Sequence, residues 1–187
     1  MSPLMPNSMN VKQIIAACLS GDRQAQERLF HIYAGKMMTV CRRYVKSQEE
    51  AEDLLQEGFI RVFTYLSSFE NAGSFEGWLR RIFVNVALKS ISKKSLIIES
   101  IDTEIPYNIT SSDPDAVSRL SEEQILKLVE SLPDGYRTVF NLYAIEGYSH
   151  KEISEMFGIE ESTSRSQLMK ARKILQEKIH EIQKIAI

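Results

Sequence analysis

Apolar residues recur every three to four positions along almost all of this 187-residue chain, with one interruption between residues 95 and 115. This spacing places side chains on one face of an α-helix, and it differs from the strict alternation of half-buried strands. Glycine and proline, which interrupt helices, number only 8 and 5. The sequence therefore predicts an all-α fold built from amphipathic helices.

Four helices are predicted before the interruption. A short helix covers about 11–19, and Asp22, Ser47 and Ser74 are suited to cap the three longer helices, because their side-chain oxygens accept hydrogen bonds from backbone amides. The three apolar stripes comprise Ala25, Leu29, Tyr33, Met37, Cys41 and Tyr44; then Ala51, Leu54, Leu55, Phe59, Val62 and Leu66; then Phe75, Leu79, Ile82 and Val86.

The stretch 95–115 has no sustained period and ends in turn-forming residues. A structureless loop longer than about 15 residues is uncommon inside a compact domain, so we expect a flexible linker here. The sequence thus predicts two small helical domains, at 1–94 and 116–187. In the second domain, a helix over about 115–131 carries Ile125, Leu128 and Val129 on its apolar stripe, and Pro133 opens the next helix.

A helix-turn-helix pattern follows in the second domain. Ser149 and Glu152 have the spacing of a capping box, Gly158 is suited to the turn, and a longer helix runs from about Glu161. A short helix, a glycine-containing turn and a second helix are typical of DNA-binding proteins, in which the second helix enters the major groove.

The second helix of this pattern has two different faces. Its apolar face comprises Ser164, Leu168, Ala171 and Leu175. Its basic and polar face comprises Arg165, Ser166, Met169, Lys170 and Lys173, flanked by Gln167 and Arg172. Arginine, lysine, glutamine and serine side chains reach base edges and phosphates in the major groove, so this face is a candidate DNA contact. The alternative is a basic face that is only solvated.

Charge is segregated along the chain, although the formal net charge is only −2. Residues 80–94 contain five basic residues and no acidic one, and residues 163–178 carry a net charge of +4. The stretch 95–119 between them carries −4. Two basic blocks separated by an acidic tether indicate two contacts with a polyanion.

The segment "AEDLLQEGFIRVFTYL" carries a second surface opposite its apolar stripe. This surface comprises Asp53, Gln56, Glu57, Ile60 and Thr64, with Phe63 at its margin. A mixture of acidic and apolar residues suits a protein interface and repels DNA. The alternative is that a neighbouring helix of the same domain covers it.

The third long helix combines the first basic block with Phe75, Trp78 and Phe83. Aromatic rings beside cations are how proteins hold single-stranded nucleic acid, by stacking and phosphate contacts. Trp78 lies at the edge of the apolar stripe, however, and its position favours the core. The basic residues of this helix are the better candidates for phosphate contacts.

Three motifs occur in one order: "AEDLLQEGFIRVF", "SFEGWLRRIFVNVALKSISKK" and, after the linker, "SLPDGYRTVFNLYAIEGYSHKEISEMFGIEESTSRSQLMKARKIL". Over residues 20–180 the chain resembles the extracytoplasmic-function group of bacterial sigma-70 factors. The resemblance implies binding to RNA polymerase core, at the β′ clamp helices and the β flap, and to promoter DNA. The first domain would recognise and open the −10 element, and the second would read the −35 element. An anti-sigma factor as a further partner is left open.

The resemblance also implies roles for individual residues. Contacts with the polymerase are assigned to Asp53, Gln56, Glu57, Phe59, Ile60 and Phe63. Contacts with the −10 element are assigned to Phe69, Asn71, Ser74, Arg80, Arg81, Asn85, Lys89, Lys93 and Lys94, with the loop 69–74 cradling a flipped-out base. Contacts with the −35 element are assigned to Lys151, Arg165, Ser166, Gln167, Met169, Lys170, Arg172 and Lys173. Relatives often carry arginine at position 167 and an aromatic residue at 169, so their −35 sequence does not transfer.

Other classes of protein fit less well. A stand-alone helix-turn-helix regulator would explain the second half, but neither the aromatic basic helix nor the acidic face. We expect no enzyme, cofactor or metal site, because no phosphate-binding glycine loop, nucleophile motif or paired Glu-x-x-His occurs. No signal peptide or membrane-spanning run is visible, and the two cysteines, Cys18 and Cys41, fit core thiols of a cytoplasmic protein.

Overall fold

The computed structural model describes residues 10–70, 73–92 and 120–185. Across these residues the regular structure is helical and contains no strand, which confirms the all-α prediction. The α-helices are α1 Val11–Leu19, α2 Arg23–Arg42, α3 Gln48–Tyr65, α4 Phe75–Ser92, α5 Glu122–Glu130, α6 Asp134–Phe140, α7 His150–Phe157 and α8 Glu161–Ile185. A 3₁₀ turn, Leu66–Ser68, follows α3, and a π-helical turn, Asn141–Ile145, follows α6.

The described residues form two compact units. The first unit contains 10–41, 48–70 and 73–86, and the second contains 42–47, 87–92 and 120–185. The predicted linker, 95–115, lies outside the described residues, as does Lys94 at the expected end of the first domain.

The core of the first unit is built from the predicted apolar stripes. Residues of these stripes that are buried there include Leu29, Met37, Val62 and Leu79. On α4 the stripe is partly wrong, because Phe83 is buried outside it and Ile82 within it is only half-buried. The Oδ1 atom of Asp22 accepts hydrogen bonds from the backbone amides of Gln24, at 2.8 Å, and Ala25, at 3.2 Å. The Oγ atom of Ser74 accepts one from the Gly77 amide at 3.0 Å. The caps predicted at Asp22 and Ser74 are therefore confirmed, and each begins its helix where the sequence places it.

The second unit packs α8 against α5, α6 and α7. Its central cluster contains Leu128, Leu132, Ala171 and Leu175. The predicted stripe of α5 is partly wrong: Ile125 is 40% exposed, and Leu126 is buried in its place beside Leu128 and Val129. The apolar residues of α5 cover more than one face, and only packing against α8 determines which of them are buried.

The helix-turn-helix prediction is confirmed in its local details. The Ser149 hydroxyl accepts from the Glu152 amide at 3.2 Å, and the Glu152 carboxylate accepts from the Ser149 amide at 2.8 Å. Gly158 ends α7 with φ at +64°, a left-handed conformation that side chains with a Cβ disfavour. Since α8 begins at Glu161, the turn between the two helices is short.

Candidate nucleic-acid and protein interfaces

The apolar and basic faces of α8 separate as the sequence predicts. Ser164, Leu168 and Ala171 are buried, whereas Arg165, Met169 and Arg172 are exposed. The three exposed residues are spaced by four and then three positions, so they form one stripe along the helix. This stripe, Arg165–Met169–Arg172, is the exposed part of the predicted −35 surface on α8.

Gln167 does not belong to that surface. Its side chain is only 4% exposed, and its Oε1 atom is buried without a partner among the described residues. Because α8 packs against several helices at once, its buried arc is wider than the four-residue face read from the sequence. We therefore remove Gln167 from the residues able to contact DNA directly.

The remaining −35 candidates differ in accessibility. Lys151 is exposed on α7, whereas Ser166 is half-buried and its hydroxyl donates to the Thr163 carbonyl at 2.9 Å. The ammonium of Lys170 lies 6.0 Å from the ring centroid of Tyr136. Lys173 has a side chain only 22% exposed and lies 4.0 Å from the Glu177 carboxylate, which makes it less available to DNA.

His150 joins this surface although no sequence pattern singled it out. Its ring stacks on Tyr143, with centroids 4.3 Å apart and planes at 21°. Its Nδ1 atom lies 2.9 Å from the hydroxyl of Ser164, and the guanidinium of Arg172 lies 5.9 Å from the Tyr143 ring centroid. Burial, and then the nearby charge of Arg165, lower the pKa of His150 below its ordinary value of 6.5.

The acidic and apolar face of α3 lies open in the part of the chain that the structure describes. Asp53, Gln56 and Ile60 are exposed, with 62% of Ile60 accessible. Glu57 is half-buried and pairs with Arg61 on the next turn, at 2.7 Å. No described helix covers this face, so the alternative of an internal contact finds no support.

Two aromatic residues of α3 that the resemblance assigns to polymerase contact lie deeper than that role suggests, and Phe59 is buried as its place in the predicted apolar stripe indicates. Phe59 is only 4% exposed and packs against the rings of Phe30 and Phe83, with centroids 4.7 and 5.3 Å away. It is a core residue, because its position on the helix faces α2 and α4 rather than solvent. Phe63 is half-buried at the edge of this cluster, 6.2 Å from Phe59.

Basic and polar residues form a second stripe on α4. Arg81, Asn85 and Lys89 are exposed and spaced by four positions, whereas Arg80 is half-buried. At the start of the helix, Ser74 is exposed but its oxygen is used as the cap. The other −10 candidates, Asn71, Lys93 and Lys94, lie outside the described residues.

A cluster of aromatic rings lies beside the beginning of α4. Phe69 and Trp78 are both half-buried, with centroids 5.5 Å apart, and each packs against the buried Phe75. Trp78 is therefore neither a fully buried core residue nor a free platform. The partly open edges of Phe69 and Trp78 are the aromatic surface nearest the α4 stripe in sequence.

Neither a metal site nor a membrane span is apparent in the described parts of the chain. No group of three or more histidine, cysteine, aspartate or glutamate side chains there is arranged to hold a metal ion. Within the same residues, no helix has the length and apolar character needed to cross a bilayer. Cys18 and Cys41 are buried and form no disulfide.

Comparison with known proteins identifies both halves of the chain. Residues 29–97 match the family model "Sigma-70 region 2", and residues 122–175 match "Sigma-70, region 4". The chain is 32% identical to the ECF RNA polymerase sigma factor SigW of Bacillus subtilis, over 93% of this chain and 99% of the relative. It is 28% identical to the ECF RNA polymerase sigma-E factor of Escherichia coli, over 94% and 97% of the two chains.

A solved structure of CnrH in complex with the cytosolic domain of CnrY is 20% identical to the chain, with a TM-score of 0.48. It covers 90% of this chain and 96% of its own. The match to SigW extends over nearly the full length of both sequences and includes both of the family-model regions. The chain belongs to the extracytoplasmic-function group of sigma-70 family RNA polymerase sigma factors, which direct transcription initiation.

Proposed function

We propose that this sigma factor binds RNA polymerase core through α3, contacts the −10 element through α4 and reads the −35 element through α8. In this scheme the polymerase supplies catalysis and the chain supplies promoter specificity in the cytoplasm. The observation that carries the proposal is the surface of α8, where Arg165, Met169 and Arg172 are exposed along one stripe while the opposite face is buried.

Reading of the −35 element rests on the N-terminal half of α8. In helix-turn-helix docking, the first turns of the second helix lie closest to the base edges. Arg165 is the fifth residue of α8, and Glu161 on the preceding turn pairs with its guanidinium in the free chain. A guanidinium can donate two hydrogen bonds to one guanine, which makes Arg165 the main candidate for sequence discrimination.

Contact with the −10 element rests on the stripe Arg81–Asn85–Lys89 and the neighbouring aromatic cluster. Cations spaced along one helix face can follow a phosphate backbone, and ring edges can stack on unpaired bases. Contact with the polymerase rests on Asp53, Gln56 and Ile60, whose acidic and apolar mixture suits a protein surface.

Selection of randomised −35 sequences in the polymerase complex tests this assignment. Arg165→Ala should relax preference at one −35 position, because a bidentate arginine–guanine contact is worth about 1–3 kcal/mol of discrimination. Lys184→Ala is the matched control, since Lys184 is exposed near the far end of the same helix. An unchanged sequence preference in Arg165→Ala would show that this face does not read DNA.

The same selection without polymerase distinguishes a sigma factor from a stand-alone regulator. A regulator would select a sequence by itself, whereas a sigma factor should do so mainly within the holoenzyme.

A further inference from the structure

We infer that Tyr143 and His150 form a positioning unit that holds Arg172 toward −35 DNA and joins α7 to α8. The inference deepens the proposed role of α8 and rests on it. Neither Tyr143 nor His150 is among the residues assigned to DNA by sequence, and both are half-buried behind the exposed stripe. They are positioning residues, since they act through Arg172.

The geometry places both rings against α8, the second helix of the helix-turn-helix. Tyr143 lies on the π-helical turn after α6, and His150 is the first residue of α7. The ring centroids are 4.3 Å apart. His150 also shares a hydrogen bond with Ser164, which is fully buried on α8. Arg172 lies two turns further along α8 and over the Tyr143 ring. The stack therefore contacts α8 at two separate points.

The anchoring of the π-helical turn explains why Tyr143 is held in place. Asn141 is fully buried, and its side-chain amide donates to the carbonyl of Arg43 at 2.6 Å. Residues 42–47 belong to the same compact unit. Leu142, the next residue, is also fully buried. Because these two residues are buried, the backbone at Tyr143 is held in place. The Tyr143 ring therefore determines the position of the Arg172 guanidinium, rather than the reverse.

The guanidiniums of Arg172 and Arg165 are held by different kinds of contact. Arg165 pairs with the carboxylate of Glu161 on its own helix. Arg172 forms no ion pair with any residue that the structure describes, and its contact there is the Tyr143 ring. A cation over an aromatic face is attracted by the ring quadrupole. Holding the guanidinium in one region before binding reduces the side-chain entropy lost when DNA is bound.

A second pair repeats the arrangement. Tyr136 lies seven residues before Tyr143, and its ring lies under the ammonium of Lys170 at 6.0 Å. Tyr136 is thus a natural control, because it should influence Lys170 and leave Arg172 unaffected.

A double-mutant cycle tests the inference in the reconstituted holoenzyme. Tyr143→Leu and Tyr136→Leu would each be combined with Arg172→Ala, and affinity for a promoter with its selected −35 element measured. We expect Tyr143→Leu to weaken binding roughly two- to fivefold when Arg172 is present, the size of an exposed cation–π contact. With Arg172→Ala, the same substitution should change binding less than about twofold. Tyr143→Phe keeps the ring and should restore binding.

The outcomes separate the inference from the proposed function. If Arg172→Ala leaves promoter affinity and −35 preference unchanged, the proposed role of this face fails and the inference fails with it. If Arg172→Ala weakens binding but Tyr143→Leu has no effect, or an equal effect in both backgrounds, the inference alone is overturned. It is also overturned if Tyr136→Leu couples to Arg172 as strongly as Tyr143→Leu does.

Circular dichroism will show whether Tyr143→Leu folds. If it does not, a second variant tests the inference. His150→Asn removes the stacked ring and retains a group able to hydrogen-bond with Ser164. It should show the same dependence on Arg172 as Tyr143→Leu. An effect independent of Arg172 would overturn the inference.

Discussion

Gly58 shows how one residue limits the packing of the first unit. It is buried on α3, and a Cβ added there would overlap the ring of Phe83 on α4. The same ring packs against Phe59, so the close approach of α3 and α4 at Gly58 also keeps Phe59 in the core. On the side of α3 opposite its exposed face, position 58 therefore has no room for a side chain.

Gly58→Ala should destabilise the first unit. Overpacking a core costs about 1–3 kcal/mol, which outweighs the gain of up to about 1 kcal/mol in helix propensity. Trp78, the single tryptophan of the sequence, lies in this unit, so denaturant unfolding followed by fluorescence reports its stability. Gly35→Ala is the control: Gly35 is exposed on α2 with no atom near its would-be Cβ, and the change should stabilise by about 0.5–1 kcal/mol. Equal effects at both positions would contradict this packing.

At the scale of elements, α7 is a short helix of the second unit whose two ends are both fixed by local structure. Its eight residues have a capping box at one end and a left-handed glycine at the other. The left-handed glycine redirects the chain toward α8, and the start of α7 lies beside the first turns of α8. The position of His150 relative to Ser164 depends on this arrangement.

Gly158→Ala should destabilise the second unit by about 1–2 kcal/mol, because a residue with a Cβ disfavours positive φ. Gly158→Asn should lower the free energy of unfolding by less than Gly158→Ala, since asparagine adopts the left-handed conformation more readily. Thermal unfolding by circular dichroism compares the two variants. If alanine and asparagine are equally tolerated, the left-handed end of α7 is absent in solution.

His150 should make the stability of the second unit depend on pH. Burial, and next Arg165, lower the pKa of its imidazole below 6.5, whereas Glu161 opposes the shift. The unfolded chain therefore binds this proton more readily than the folded one. The contribution to stability is complete above pH 6.5 and is lost as the pH falls through the lowered folded value. Melting temperatures measured from pH 7.5 to 5 should fall less in His150→Asn than in the unaltered chain.

At the scale of the whole molecule, surfaces of opposite charge serve different proposed partners. The acidic face of α3 and the basic stripes of α4 and α8 largely cancel in the formal net charge of −2. An acidic face repels DNA and steers association toward a basic protein surface. Under the proposed assignment, this division would let one small chain bind both the polymerase and the promoter.

Asp53→Lys combined with Glu57→Lys should weaken association with polymerase core by about tenfold or more, because like charges placed across an interface cost several kcal/mol. The fold should persist, since the Glu57–Arg61 pair is a partly exposed one worth about 0–1 kcal/mol. Glu27→Lys combined with Glu181→Lys changes the net charge equally at exposed positions elsewhere. Co-purification with core compares the two. Equal loss in both would indicate a non-specific charge effect, and no loss in the first would contradict the assignment of α3.

The sequence alone determined the features that depend on local physics. Helix positions, the caps at Asp22, Ser74 and Ser149, and the glycine at 158 all follow from hydrogen bonds and backbone conformations within a few residues. The two faces of α8 followed from helical periodicity, because its buried residues recur at the expected spacing. The resemblance to sigma factors followed from three motifs in order, and the comparisons confirm it.

Only the tertiary structure decided how wide each buried face is. Periodicity gives the direction of a side chain, but the number of neighbouring helices determines how much of the circumference they cover. Hence Gln167 is buried although the sequence placed it beside the basic face, and on α5 Leu126 is buried whereas Ile125 is exposed. The stack of Tyr143 on His150 likewise depends on the π-helical turn and on α8 closing over it, and no local pattern specifies contacts between separate helices.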